Sequence, residues 1–425
     1  MIGDTPVPMT TLDRARALDA EDELAGFRDE FLFPSHPSGR AVYLCGNSLG
    51  LQPRATRQWV LRELEHWAEH AVEGHFRGER PWFAYHEFFA KGAAEVVGAR
   101  PGEVVVMNGL TVNLHLMLVS FYAPTPSRYR IVIEAGAFPS DRYAVASHAR
   151  LHGFDPETTV VELAPRAGED DLRTADVEAF LAREGGNVAL VMLGGVNYYT
   201  GQAQDLAAIT AAAHACGARA GFDLAHAAGN LELSLHDWDV DFAVWCTYKY
   251  LNSGPGGVAC AFVHERWASA PELPRLAGWW GNDPATRFTM PDEFVPQPGA
   301  AGWQLSNAPV LTMAAFGASL EIFGRAGMKR LGAKSRALTG FLESCLRGID
   351  TDLLTIITPT DPAARGCQLS LRVAERGESV HEALTARGVY CDFRRPDVVR
   401  VAPVPLYNSF EDVWFFSEIV RECVT

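Results

Sequence analysis

The sequence predicts an α/β protein: a large domain built on a mostly parallel sheet covered by helices on both faces, followed by a smaller C-terminal α/β domain. Two observations lead there. From about residue 100, short runs apolar on both faces alternate with helical stretches, the pattern of parallel strands buried on both sides. Beyond about residue 325 the order of elements changes, and 425 residues at 48% hydrophobic suffice for more than one core.

The expected strands of the large domain are "EVVVMN" (103–108), "YRIVIEA" (129–135), "TTVVEL" (158–163), "NVALVMLG" (187–194), "ARAGFDL" (218–224), "VDFAVWCTY" (240–248) and "GVACAFVH" (257–264). Helices are expected between them at 111–122, 140–151, 171–184 and 203–215. The segment 265–307 breaks the rhythm with Pro, Gly and aromatics, and a long helical stretch starts near 308. Next come the strand "CQLSLRV" (367–373), a helix over 378–387, the strands "VYCDF" (389–393) and "VVRVAP" (398–403), and a final helix over 410–422. This order divides the chain into an N-terminal segment, 1–50, packing with the small domain, a large domain, 51–310, and a small domain, 311–425.

Lys and Arg number 37 against 52 Asp and Glu, a formal charge of −15, which argues against nucleic acid or an anionic membrane as partner. Any anionic ligand must be held by local groups. The N-terminus, "MIGDTPVPMTTLDRARALDAEDELAG", lacks the basic flank and apolar core of a secretory signal, and no apolar run is long enough to span a bilayer. Cysteines at 45, 216, 246, 260, 345, 367, 391 and 423 form no CxxC pair, so neither a zinc ribbon nor a disulfide scaffold is expected, nor any metal centre. They read as reduced thiols of a cytoplasmic protein.

The stretch "WCTYKYLNSGPGG" (245–257) ends an apolar strand at Lys249 and breaks into a glycine loop, which holds an amine at the sheet rim where ligands of α/β proteins collect. "GFDLAHAAGN" ends a neighbouring strand at Asp223. A carboxylate at a buried strand end needs a cation to face. In a pyridoxal phosphate enzyme the protonated ring nitrogen is that cation, and a lysine such as Lys249 carries the cofactor covalently and then moves protons. "NGLTVNLHLML" places Thr111 at a helix start suited to a phosphate, "EAGAFPSD" offers the Phe138 ring, and Tyr248 adjoins the lysine. In this order along one sheet, these features point to such a cofactor together and not singly.

The blocks "YLCGNSLGLQP" (43–53), "GHFRGERPW" (74–82), "LTVNLHLML" (110–118), "AFPSDRYA" (137–144), "VNYYTGQ" (196–202), "GFDLAHAAGNLELSLHDWDVDFA" (221–243), "YKYLNSGPGG" (248–257), "GWWGN" (278–282) and "RVAPVPLYNSF" (400–410) resemble the kynureninases, in the aspartate-aminotransferase-like superfamily. The resemblance implies pyridoxal 5'-phosphate as cofactor, with Lys249 as its carrier, Asp223 facing its ring nitrogen and Tyr248 as a catalytic acid or base. It implies Leu110 and Thr111 at the phosphate, Phe138 on the ring face, Pro139, Ser140 and Asp141 beside it, and His226 in contact. Trp279 and Asn307 would reach the site from the partner of a homodimer. Arg400 would clamp the substrate's α-carboxylate, with Asn47, His75, Ser306 and Asn307 also at the substrate. Some relatives carry Ser or Thr where Gly194 stands.

The implied reaction is hydrolytic cleavage of the Cβ–Cγ bond of L-kynurenine or its 3-hydroxy derivative, giving anthranilate or 3-hydroxyanthranilate plus L-alanine, in tryptophan catabolism or NAD biosynthesis. His75, Ser306 and Asn307 resemble the members that favour the 3-hydroxy substrate. A cysteine desulfurase would share the Lys and Asp but need a nucleophilic Cys on a mobile loop, whereas Cys345 falls in a helical pattern and Cys367 starts a strand. An aminotransferase would require a keto acid, and a silent regulator on this fold an added DNA-binding segment.

Overall fold

The computed structural model describes residues 10–270 and 273–425. Residues 1–9, at the head of the stretch read for a secretory signal, and 271–272, inside the aromatic segment, lie outside the described residues.

Seven strands, β1 (Val104–Met107), β2 (Arg130–Glu134), β3 (Val160–Leu163), β4 (Val188–Gly194), β5 (Arg219–Asp223), β6 (Phe242–Cys246) and β7 (Ala259–Val263), form one sheet in the order β1-β7-β6-β5-β4-β2-β3. Only β7 runs against its neighbours, so the sheet is mixed but mostly parallel, as the apolar runs predict. Its strands send alternate side chains into two cores. Val104, Val106, Val191, Leu193, Ala243 and Trp245 join one, and Val105, Met107, Leu190, Met192, Phe242 and Val244 join the other. Burial on both faces leaves polar groups only at the strand ends.

Two of those ends run directly into helices. After β1, Asn108 adopts φ 52°, a left-handed turn that Asn tolerates better than most residues, and its side-chain amide donates to Asn113 at 3.0 Å. The helix Leu110–Phe121 then begins, and after β2 a short loop leads into the helix Pro139–Leu151. In the pairing of β4, β5 and β6, Gly194 lies opposite Asp223 and Asp223 opposite Val244, which sets the β4 and β5 ends side by side and the lysine just beyond β6.

A second sheet, β8 (Leu354–Ile356), β9 (Leu369–Val373), β10 (Asp392–Arg394) and β11 (Val398–Val401), is fully antiparallel in the order β8-β9-β11-β10. The helices Met328–Arg347 and Phe410–Val424 share its separate core. Ala15, Val42 and Leu44 are buried in that same core, and Val42–Tyr43 pairs with Val389–Tyr390. Asp19 accepts from the backbone N–H groups of Phe410 (2.7 Å) and Glu411 (3.0 Å), so a carboxylate near the chain's start caps its last helix. The helix Val310–Ala326 instead packs Met313, Phe316 and Phe323 into the core of the large sheet.

The N-terminal loop is locked to the lysine turn. Gly50 donates its backbone N–H to the Tyr248 carbonyl at 2.8 Å, and a Cβ there would stand 2.3 Å from both the Lys249 carbonyl oxygen and the Asn252 side-chain oxygen. Gly50→Ala is therefore expected to push the Lys249 turn outward and cost about 1–3 kcal/mol of stability, with cofactor content reduced. Thermal unfolding and cofactor absorbance check this; a variant with unaltered Tm and full cofactor would show that the turn can absorb the methyl group.

Candidate active site

A cavity of ≈ 240 Å³ opens where the sheet rim meets the small domain. Of the residues expected from sequence, it is lined by Asn47 from the N-terminal loop, Leu110 and Thr111 from one helix start, and Phe138, Ser140 and Asp141 from the other. The strand ends contribute Asp223, His226, Tyr248 and Lys249, and the small domain contributes Arg400. Pro139 is the first residue of its helix and does not line the cavity. His75, Trp279, Ser306 and Asn307 lie outside it as well, with Trp279, Ser306 and Asn307 exposed.

Neither helix start is capped by its own side chain. Their unpaired N–H groups converge where the Thr111 and Ser140 hydroxyls meet at 2.9 Å, and two dipoles with two hydroxyls suit a phosphate. The Lys249 Nζ stands 3.0 Å from His226 Nε2 and 5.8 Å from the centre of the Phe138 ring. Burial, then the charges of Lys249, Arg400 and Arg394, hold the His226 imidazole well below its ordinary range and keep it neutral. Its Nδ1 is buried without a partner.

Three carboxyl groups share the floor. Asp223 is raised by burial but opposed by the Lys249 charge and by the Ala225 N–H, which donates to it at 2.7 Å. Asp141 is raised well above the ordinary range by burial and by its neighbour Asp223, to which it is hydrogen-bonded. The arrangement is therefore a protonated Asp141 donating to an ionised Asp223, which faces the lysine. A protonated ring nitrogen would suit the same carboxylate, so these residues fit pyridoxal phosphate. Burial and the Cys246 thiol push the Tyr248 phenol above its usual range, which favours a hydrogen-bond donor over a phenolate.

Glu134 was not anticipated. It ends β2 just as Asp223 ends β5, ahead of the glycine loop "AGAFPSD", and that shared placement was its available signal. A Cβ on Gly194 would approach Glu134 Oε1 to 3.1 Å, so the missing hydroxyl of Gly194 leaves this carboxyl room. Tyr198 and Arg394 also line the cavity unforeseen. Tyr198 lies in a quoted motif, but nothing local marks Arg394.

A mostly parallel sheet with an amine, a carboxylate and two uncapped helix starts at its rim, closed by a smaller domain, defines an enzyme of the pyridoxal phosphate class. The fold is shared with a C-DES mutant carrying glycine covalently linked to its PLP cofactor (TM-score 0.74, 16% identity, 89% of this chain and 96% of that one). It is shared too with a cysteine desulfurase from Escherichia coli (TM-score 0.74, 18% identity, 94% and 98%). Residues 331–420 match the family described as Kynureninase C-terminal domain. The kynureninase of Myxococcus xanthus is 58% identical over 408 residues, 96% of each chain, and that of Koribacter versatilis 55% identical over 410 residues, 96% of this chain and 97% of that one. The chain belongs to the kynureninase family, pyridoxal phosphate-dependent hydrolases acting on carbon–carbon bonds. Despite the fold shared with desulfurases, no cysteine lines the cavity among the described residues, and Cys345 and Cys367 are buried.

Burial lifts the Glu134 carboxyl from 4.5 to about 7, with Asp223 adding to the rise. Between those values the folded protein keeps a proton that the unfolded chain has lost, so this group's contribution to stability falls as pH rises from about 4.5 to about 7. Thermal melts of cofactor-free protein across that window should lose part of their downward slope in Glu134→Gln. An identical slope would place the proton on another of the three acids.

Proposed function

We propose that this chain works as a homodimer that hydrolyses 3-hydroxy-L-kynurenine in preference to L-kynurenine, releasing 3-hydroxyanthranilate or anthranilate and L-alanine. The observation that carries the reaction is the cavity's layout: Lys249 and Asp223 at its floor, two helix starts at one side and Arg400 at another. When bound, pyridoxal phosphate supplies an electron sink for the substrate's α-carbon. The chain's own groups do the rest. Thr111, Ser140 and the helix N–H groups would hold the phosphate, Phe138 would offer its ring to the cofactor, and Pro139 opens the helix that carries Ser140. Asp223 holds the proton on the ring nitrogen, with Asp141 donating to it.

Arg400 would bind the α-carboxylate, with Asn47 also lining the cavity for the substrate. The Lys249 amine would hold the cofactor and move protons within reach of its Nζ, and neutral His226 can accept a hydrogen bond from it. Tyr248 acts as a neutral donor.

Two findings support a composite site in a dimer. His75 and Trp279 sit on one cluster of rings outside the cavity, in which Phe76, Phe83 and Phe288 lie 5.6–6.0 Å apart, His75 adjoins Phe76 at 6.3 Å and Trp279 adjoins Phe288 at 5.4 Å. Phe76, Trp279 and Phe288 are each about half exposed, and Phe138 at the cavity is 44% exposed. A second subunit would bring that cluster, with Ser306 and Asn307, over the open cavity. His75 and Asn307 could then pair the substrate's phenolic hydroxyl, which a merely roomy pocket would leave without partners.

Holoenzyme incubated with each substrate and followed by ultraviolet absorbance tests the reaction and the preference. The kcat/KM for 3-hydroxykynurenine is expected to be about tenfold or more above that for kynurenine. Equal or reversed efficiencies would remove the preference alone, and no aromatic amine product from either would end the assignment. For the dimer, mixing inactive Lys249→Ala and Trp279→Ala protomers should restore up to about a quarter of the sites by random exchange. No recovery despite proven exchange would mean that one chain builds each site.

A further inference from the structure

Arg400 is almost fully buried, and its fork is already engaged. One terminal nitrogen donates to the Tyr198 carbonyl and the other to the Asp392 carboxylate, which lies opposite it in the β10–β11 pairing. A substrate carboxylate arriving at Arg400 alone would thus meet a neutral pair, whose attraction for an anion is largely cancelled. The same Asp392 oxygen accepts from Arg394 at 3.0 Å. Arg394 lies two residues along β10, on the same face as Asp392, and lines the cavity with Arg400. The Nε atoms of both arginines are buried without partners.

We infer that the substrate's α-carboxylate is bound by two arginines, Arg394 with Arg400, and that Asp392 is the positioning residue that holds both guanidinium groups toward the cavity. This rests on the placing of the carboxylate at Arg400 proposed above. Two guanidinium groups and one carboxylate leave a single net positive charge, the complement of one α-carboxylate. The unpaired N–H groups supply donors that Asp392 does not use. Both guanidinium groups also depress the neighbouring His226, as charges directed at the site would.

The test uses holoenzyme of Arg394→Gln, Asp392→Asn and Arg400→Lys, with L-alanine and L-alaninamide as competing inhibitors of L-kynurenine turnover. These probes differ only in carrying the carboxylate or its neutral amide. Arg394→Gln is expected to raise KM about tenfold, hold kcat within about threefold, and shrink the preference for alanine over alaninamide about tenfold, with cofactor content unchanged. Asp392→Asn keeps the side chain's size without its charge and is expected to raise KM in the same way, because the two forks are no longer held. If Arg400→Lys erodes the preference while Arg394→Gln leaves it intact, the second arginine is disproved and the single-arginine site stands. If neither variant erodes it, the carboxylate does not bind here and both readings fall. Loss of cofactor from Arg394→Gln, or a lowered KM in Asp392→Asn, would also overturn the inference, by assigning Arg394 to the cofactor or Asp392 to competition with substrate.

Discussion

The burial of Asp223 at the end of β5, under the charge of Lys249 just beyond β6, is the constraint around which the site is arranged. A buried carboxylate is costly alone and tolerable near a cation, and the β5–β6 register sets the lysine turn close enough for its charge to act on Asp223. Much nearby structure serves that carboxylate and the lysine turn. The Ala225 N–H fixes one oxygen of Asp223, Asp141 donates to the carboxylate, and Gly50 is bare so that the N-terminal loop can press on the lysine turn. Because Asp223 already accepts from the Ala225 N–H and from Asp141, the floor is organised before a cofactor arrives, and a ring nitrogen would add its charge to a carboxylate already held in place.

The two domains divide the work along chemical lines. The large sheet, with apolar side chains on both faces, can show charge only at its rim, and there it presents the groups suited to a cofactor. The small antiparallel sheet places Arg394, Arg400 and Asp392 on one side of two neighbouring strands, where the two arginines line the cavity. On the proposed reading, recognition of the substrate's carboxylate and activation of its α-carbon are assigned to different sheets, and Asn47 touches both sides, donating to Gln368 at 3.0 Å while lining the cavity.

The large sheet was legible because its strands are continuously apolar and separated by helical stretches, a pattern that few alternatives satisfy. The helices Thr56–His70 and Glu87–Val97 were not drawn from the sequence, although Trp59 and Glu63, four apart, are both buried. The three-residue β8 is too short to show a period at all. Lys249, Asp223 and Thr111 could be read because each stands at or just past a strand end or in the first turn of a helix, a placement that has a physical reason. Glu134 obeys the same rule and was legible in principle. Arg394 was not, since its importance lies in Asp392 and Arg400, which meet only when β10 and β11 pair. The positions of His75, Trp279, Ser306 and Asn307 outside the cavity likewise depend on tertiary contacts that no local pattern encodes.

The cap that Asp19 places on the helix Phe410–Val424 bears on how the molecule comes into being. During synthesis the first fifty residues leave the ribosome early, yet the partners of Ala15, Val42 and Leu44 lie in the last hundred. The seven strands of the large sheet, all translated by residue 263, can collapse while the small domain is still missing its strands. The stretch that carries Ala15 and Asp19 must therefore wait for those partners, which suits a stretch as acidic and sparsely apolar as "TLDRARALDAEDE". The strands that carry the arginines are translated after all seven strands of the large sheet, so the nascent chain can complete its cofactor floor before it can recognise a substrate.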